Sequence, residues 1–384
     1  MWLCSLFLYV PNAAAGPTGE PIVLSVGAEV STGLGGGWAR AWPEDDGSWR
    51  FLWSAGGDYV LLPMTADLVV TDRDRTALTG RTNLVDHAIT RCPDDGSFLH
   101  AASANVDSFN DSAYAFRFDP DLGLTGETTI AERDASRAHN DLTVLCSGPI
   151  SGVGFAQGGG SVFFPVATDS TLGEPVSLPD APSLMGGAMY YEAESDTVLV
   201  INFRFHGPLV VARYTTDLTL VEVTEIPDAV EAPLTGYWAQ GLLRVGDVYV
   251  VAHMARDESR GWAADEGDVW LAFFDTDWNL LERRQISQNT PPTGGMRPGL
   301  ARRGDQLLVF YDKQVSPRLF DVRLDLAAMG VEGDEPDSGR SDVDDDSGVP
   351  AADAEGCGCD TGGAPLSGLG LLAGLLVRRR RAAS

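Results

Sequence analysis

Lysine is nearly absent. Of 27 cationic residues only Lys313 is one, and they face 55 Asp and Glu in 384 residues, a formal net charge of −28. A surface so acidic repels phosphate backbones and argues against nucleic acid as a partner. HExxH, CxxC and GxSxG are missing, so zincin and hydrolase-elbow chemistry gets no support. The apolar run Ala364–Val377 is 14 residues long, where a bilayer-spanning helix needs about 20. Helical periodicity is lacking between residues 21 and 330. What is present is globular in kind. The hydrophobic fraction of 44% excludes a wholly disordered chain, and 44 glycines announce many tight turns.

The body reads as a repeat of short strands. Ser48–Ser54, Ser97–Ser103, Val198–Phe203, Asp247–Ala252 and Gln306–Tyr311 are rich in Val, Leu, Phe and Tyr and bounded by Gly, Asp or Pro. An Asp-Leu-like step recurs at Asp67, Asp121, Asp217, Asp277 and Asp325, with Asp169-Ser170 departing at its second residue, and the successive spacings are 54, 48, 48, 60 and 48. Six anchors at such a period mean six units. One unit divides into strands at Ala88–Arg91, Phe98–Ser103, Tyr114–Asp119 and Thr125–Ala131. The turn Asp45-Asp46-Gly47-Ser48 answers Asp94-Asp95-Gly96-Ser97, 49 residues on; Asp-Gly favours a tight hairpin. Four strands per unit is the signature of a propeller blade. The last unit lacks a fourth strand after Leu326, and the N-terminus has a surplus one at Ile22–Val30. The fold class is therefore all-β, a six-bladed propeller over 21–330 whose last blade is closed by the N-terminal strand. Seven blades or tandem sandwiches are the alternatives, and sandwiches leave the surplus strand unexplained.

The ends read as addresses. Residues 1–15 form a signal peptide, with an apolar core at Leu3–Val10 and small residues at Ala13–Ala15. Residues 331–356 hold ten Asp or Glu against one Arg, an acidic, disordered linker. Residues 357–384 carry Cys357 and Cys359, the short apolar run and Arg378–Arg381. This order resembles the MYXO-CTERM sorting signal of myxobacteria and their relatives, over about the last 28 residues. The resemblance implies export, processing by a sorting protease and membrane anchoring at the cell surface through Cys357 or Cys359. It implies nothing about the body's activity. Cys92 and Cys146 are the body's only cysteines. An oxidising compartment favours their pairing, while buried free thiols are the other reading.

In a propeller, fourth-to-first and second-to-third connections share one face. Irregular lengths gather there, at Ala104–Asp111, Glu132–Ala138, Pro227–Gly236, Ala255–Gly267 and Ser287–Gly295. Asp86, His87, His139, Asp141, Tyr237, Trp238 and Arg297 stand at first-strand entries, and Trp262 lies in one of the long connections. Two His and two Asp near an axis would suit a divalent cation or an acid–base pair; satisfied channel residues are the simpler reading, and no cofactor is implied. Asp119-Pro120-Asp121-Leu122-Gly123 reads as an Asp turn, because the further ligands of a calcium loop are missing. The two Asp-Asp-Gly-Ser turns resemble the Asp boxes of sialidases but lack the surrounding motif and read as structural. Two functions follow. One is a surface module binding a glycan or protein through Tyr237, Trp238 and Trp262, with polar contacts from Asp86, His87, His139, Asp141 and Arg297. The other is a surface hydrolase or lyase using the Asp and His residues.

Overall fold

A computed structural model describes residues 20–331, apart from 33–36, 56–57, 72–73, 76–78, 82–83, 106–109, 132–141, 158–159, 205–206, 263–265 and 314–315. Residues 1–15, read above as a signal peptide, the acidic segment beyond Val331 and the segment with Cys357 and Cys359 lie outside the described residues.

Six antiparallel sheets follow one another along the chain. Blade 1 is Gly37–Pro43, Trp49–Ala55, Asp58–Met64 and Asp74–Arg75. Blade 2 is Leu84–Arg91, Phe98–Asn105, Asn110–Phe118 and Leu124–Ala131. Blade 3 is Thr143–Ser147, Ile150–Gln157, Gly160–Pro165 and Val176–Leu178. Blade 4 is Ala188–Glu192, Thr197–Phe203, Leu209–Thr215 and Leu220–Ile226. Blade 5 is Thr235–Val245, Val248–Arg256, Asp268–Phe274 and Leu280–Gln285. Blade 6 is Gly295–Arg303, Gln306–Lys313 and Ser316–Leu324. The first strands neighbour one another in a cycle that runs from blade 6 back to blade 1. The chain is a six-bladed β-propeller.

The missing strand of blade 6 comes from the N-terminus. Val23–Val26 pairs with the third strand, Val23 opposite Leu324 and Val26 opposite Val322. Val30 and Ser31 continue along it opposite Leu319 and Arg318. The Asp325 N–H donates to the Ile22 carbonyl at 2.8 Å, so the strand occupies the place where the chain's own fourth strand would begin. After Leu324 the chain instead bends through a 3-10 turn, Ala327–Met329, and docks on the hairpin of blade 5, where the Asp247 N–H donates to the Met329 carbonyl at 3.0 Å.

Six apolar clusters fill the six seams, each drawing on two adjacent blades. Sheets packed on both faces need strands that are apolar on both faces. Thr197–Phe203 and Val248–Arg256 are accordingly almost continuously buried. The Asp-Leu step acquires a physical reason here. Leu68, Leu122, Leu218 and Trp278 all sit in the left-handed region, with φ of 60°, 65°, 65° and 64°. That conformation costs an L-residue about 1–2 kcal/mol. In exchange each side chain drops into the seam towards the preceding blade and is no more than 8% exposed. Burying a Leu stabilises by about 1.5–3 kcal/mol, which outweighs the strain. A carboxylate serves the turn: in blade 4 the Thr219 N–H donates to Asp217 Oδ1 at 3.3 Å, and in blade 5 the Asn279 N–H donates to Asp275 Oδ1 at 2.8 Å. At 119–123 the Gly123 N–H donates to Asp119 at 2.7 Å, the Asp turn the sequence suggested.

The described residues of Ala104–Asp111, a stretch expected as a loop insertion, are strand. Pairing between the second and third strands of blade 2 runs out to Asn105 opposite Asn110, because extending the ladder satisfies backbone groups that a loop would leave to solvent. Cys92 and Cys146 are joined by a disulfide with a Cα–Cα distance of 5.0 Å, tying the inner strands of blades 2 and 3.

Candidate functional site

On the face opposite the hairpins, the first strands open the channel with β-bulges. Pairing slips between Gly37 and Arg40, Val85 and His87, Tyr237 and Gly241, and Met296 and Gly299. A bulge breaks the alternation of the pleat and redirects a side chain. Asp86, Trp238 and Arg297 occupy the bulges of blades 2, 5 and 6, with φ of 51°, 49° and 53°. Three non-glycine residues held in the same strained conformation at the same place in three blades mark this mouth as specialised. Below it the channel narrows to a cavity of about 130 Å³ lined by all six inner strands, among them Arg40, Ile89, Val144, Gln240 and Leu300.

The structure brings Trp238 and Arg297 together. The guanidinium carbon lies 5.5 Å from the indole centroid, and Arg297 also reaches Asp312 Oδ2 at 3.9 Å. On another side the indole abuts Gly186, where a Cβ would stand 2.2 Å from Trp238 Cε3; Gly186 also has φ of +75°. Only glycine satisfies both conditions.

Beside Trp238, between blades 4 and 5, a cleft of about 200 Å³ is lined by Ser183, Met185, Asn202, Phe203, Arg204, Gly236, Tyr237 and Trp238. Asn202 holds its walls together. Its Nδ2 donates to the carbonyls of Ser183 and Met185 at 2.7 and 2.8 Å, and its Oδ1 accepts from the Phe203 and Ala239 N–H groups at 2.8 and 3.4 Å. One buried amide thus joins the connection between blades 3 and 4, the end of a blade 4 strand, and the bulged strand of blade 5. Met185 is half exposed at the rim. His253 is fully buried and lies 5.2 Å, ring to ring, from Phe203; burial lowers its pKa to about 4 and keeps it neutral.

Tyr237, read from the sequence as a gripping ring, lines the cleft from a buried position. It is 7% exposed, its hydroxyl donates to Glu258, and the Arg256 guanidinium covers it at 4.5 Å. Burial and the bond to Glu258 push its pKa up. The ring belongs to the floor of the cleft and ties down the 257–260 connection. Trp262 stands apart from the residues lining the cleft, with Arg260 at 5.6 Å from its ring. Asp86 is 2% exposed. The side chain of His87, and all of His139 and Asp141, lie outside the described residues. Among the described residues no three His, Cys, Asp or Glu side chains gather as a metal site would require. The two Asp-Asp-Gly-Ser turns lie on the opposite face, where Asp46 and Asp95 accept from the Ser48 and Ser97 N–H groups at 2.8 and 2.9 Å.

No protein-family model matches the chain, and no curated protein matches it by sequence. Solved structures match by fold. A BP39L lectin from Burkholderia pseudomallei superposes with a TM-score of 0.52 at 11% identity, over 75% of this chain and 81% of that one. An α-L-arabinanase from Penicillium chrysogenum, complexed with arabinobiose, gives 0.51 at 11% identity, over 79% and 99%. An arginine-to-alanine triple mutant of AofleA from Arthrobotrys oligospora gives 0.51 at 9% identity, over 82% and 91%. At such identities the likeness is one of architecture.

Proposed function

We propose that this chain is a glycan-binding propeller displayed at the cell surface, with the cleft between blades 4 and 5 as its ligand seat. The observation that carries the reading is the composition of that cleft. Phe203, Trp238 and Met185 give it apolar walls, and Ser183 and Arg204 set polar groups among them. A sugar ring offers the complementary surface, an apolar face edged by hydroxyls, and sites of this kind combine apolar lining with a few placed polar groups. The architectural likeness to a lectin and an arabinanase supports the reading. Export through residues 1–15 and retention through the segment bearing Cys357 and Cys359, with a sorting protease and the membrane as partners, complete it.

A glycan array probed with the purified protein tests the function, followed by titration of the best ligand against Trp238→Ala. Binding weakened at least ten-fold by the substitution supports the cleft as the seat. An array without a hit, or a ligand held equally well by Trp238→Ala, refutes it. New reducing ends or unsaturated products in the same mixtures would move the reading to a hydrolase or lyase. Removal of residues 357–384 tests the address, with release into the medium expected and continued membrane association counting against it.

A further inference from the structure

The seam between blades 2 and 3 holds a charge that packing does not require. Arg117, on the third strand of blade 2, is 3% exposed. Its Nη1 lies 3.3 Å from Cys92 Sγ and 3.2 Å from Cys146 Sγ. Its Nη2 donates to Ser151 Oγ and, at 2.8 Å, to the Val166 carbonyl. All of these partners are neutral, and among the described residues Nε has no acceptor. Asp95, in the adjoining hairpin turn, is the carboxylate whose charge reaches the guanidinium. A buried cation is costly unless an anion stands beside it. The disulfide is neutral while closed, and its sulfurs become anionic only when it opens.

We propose that Cys92–Cys146 is a thiol–disulfide exchange site, with Arg117 as the preformed counter-ion of its opened state. The co-reactant is a low-molecular-weight thiol. Its thiolate attacks Cys146 Sγ, the more accessible sulfur, since Cys146 is half-buried and Cys92 is 4% exposed. The protein S–S bond breaks, a mixed disulfide forms at Cys146, and Cys92 leaves as a thiolate beside Arg117 Nη1. A second external thiolate attacks the external sulfur, expels the Cys146 thiolate and departs as the external disulfide. Two electrons pass to the protein and two external thiols are oxidised. A stabilised leaving thiolate leaves faster, and stabilising the reduced form makes the disulfide more oxidising. Ser151 reinforces the arrangement, with its hydroxyl 3.6 Å from Cys146 Sγ.

The test equilibrates the full-length protein with graded mixtures of reduced and oxidised glutathione. Thiols are then trapped by alkylation, and the Cys92 and Cys146 peptides are weighed after digestion. Opening of the wild type is expected with an equilibrium constant at least ten-fold larger than that of Arg117→Gln, about 30 mV for a two-electron couple. Arg117→Lys, which keeps the charge, should fall between them. Equal constants for wild type and Arg117→Gln would overturn the proposal. Should Arg117→Gln fail to fold, alkylation rates of the reduced wild type decide. An ordinary thiol, titrating near pH 8.5, slows about fifty-fold between pH 8.5 and 6.5. A fall of less than ten-fold supports the counter-ion, and a larger one refutes it.

Discussion

Removing residues 20–31 takes away the strand that closes blade 6. Ile22 and Val23 are 0% and 5% exposed, in the cluster between blades 5 and 6. Each stabilises by about 1.5–3 kcal/mol through burial. The Ile22 N–H donates to Glu282 at 2.7 Å, the Ile22 carbonyl accepts from Asp325, and the Gly27 N–H donates to the Asp321 carbonyl at 2.7 Å. Each such bond is worth about 0.5–1.5 kcal/mol net. With the ladder of Val23–Val26 the loss is of order 5–10 kcal/mol, comparable with the whole stability of a domain, about 5–15 kcal/mol. It also bares the edge of Ser316–Leu324 to other chains. The truncated protein is therefore expected to aggregate in size-exclusion chromatography or to show a much lower urea midpoint. A synthetic peptide of residues 20–32 added in trans should restore the midpoint in a concentration-dependent way. A truncated monomer with an unchanged midpoint would refute closure as a source of stability.

Four further outcomes follow. His100 and His253 are fully buried, and burial lowers their pKa values to about 3 and about 4. Folded values below the unfolded one mean that the unfolded chain takes up protons first, so stability should fall as the pH drops from about 6.5 towards 4, by up to about 1.4 kcal/mol per unit for each histidine; His253→Phe should flatten that slope, and an unchanged slope would exclude His253. Glu192, 4% exposed between blades 4 and 5, accepts from Arg213, Arg244, Tyr249 and Ser195. Burial alone would raise its pKa, but the hydrogen bonds and the two guanidinium charges hold it below the usual carboxylate range. Glu192→Gln should cost about 1.5–3 kcal/mol in urea denaturation through the loss of its charge-assisted bonds, since Arg213 keeps Glu222 and Arg244 keeps Glu194 as partners. Leu218→Asn discriminates between strain and burial: Asn accepts the left-handed turn but does not fill the seam, so a loss of about 2 kcal/mol is expected, and a gain would show that the turn dominates. Gly186→Ala should push Trp238 aside and weaken ligand binding at least ten-fold while leaving the circular dichroism spectrum unchanged; full binding by this variant would place the seat elsewhere.

The ring was readable because its repeated parts carry local chemistry. Asp-Gly turns recur in blades 1 and 2, a seam-filling Leu or Trp follows the Asp in blades 1, 2, 4 and 5, and the unmatched strand at Ile22–Val30 had one vacant place to go. The sixth anchor departs for a visible reason: Leu326 is right-handed, with φ of −64°, because no fourth strand follows it. The site was only half readable. Trp238 and Arg297 were marked by their position at strand entries, but their contact depends on bulges, and a bulge is set by pairing register rather than by residue type. Phe203, Met185 and Arg204 were missed because they meet Trp238 only through the packing of two blades. Asn202 offered a signal. A polar amide within the otherwise apolar run Thr197–Phe203 has to find partners, and it finds them in the backbone on both sides of the cleft.

The docking of Met329 against the blade 5 hairpin fixes where the chain leaves the ring. Residue 331 departs from the hairpin side, while Trp238 and Met185 lie at the opposite mouth. A link made at residue 331 itself starts on the side away from the mouth. A dense layer of such rings held by that end would present its clefts in parallel to the same side. A repeating polymer touching several clefts would then convert weak single contacts into strong avidity, because each later contact is made at the effective concentration set by the first.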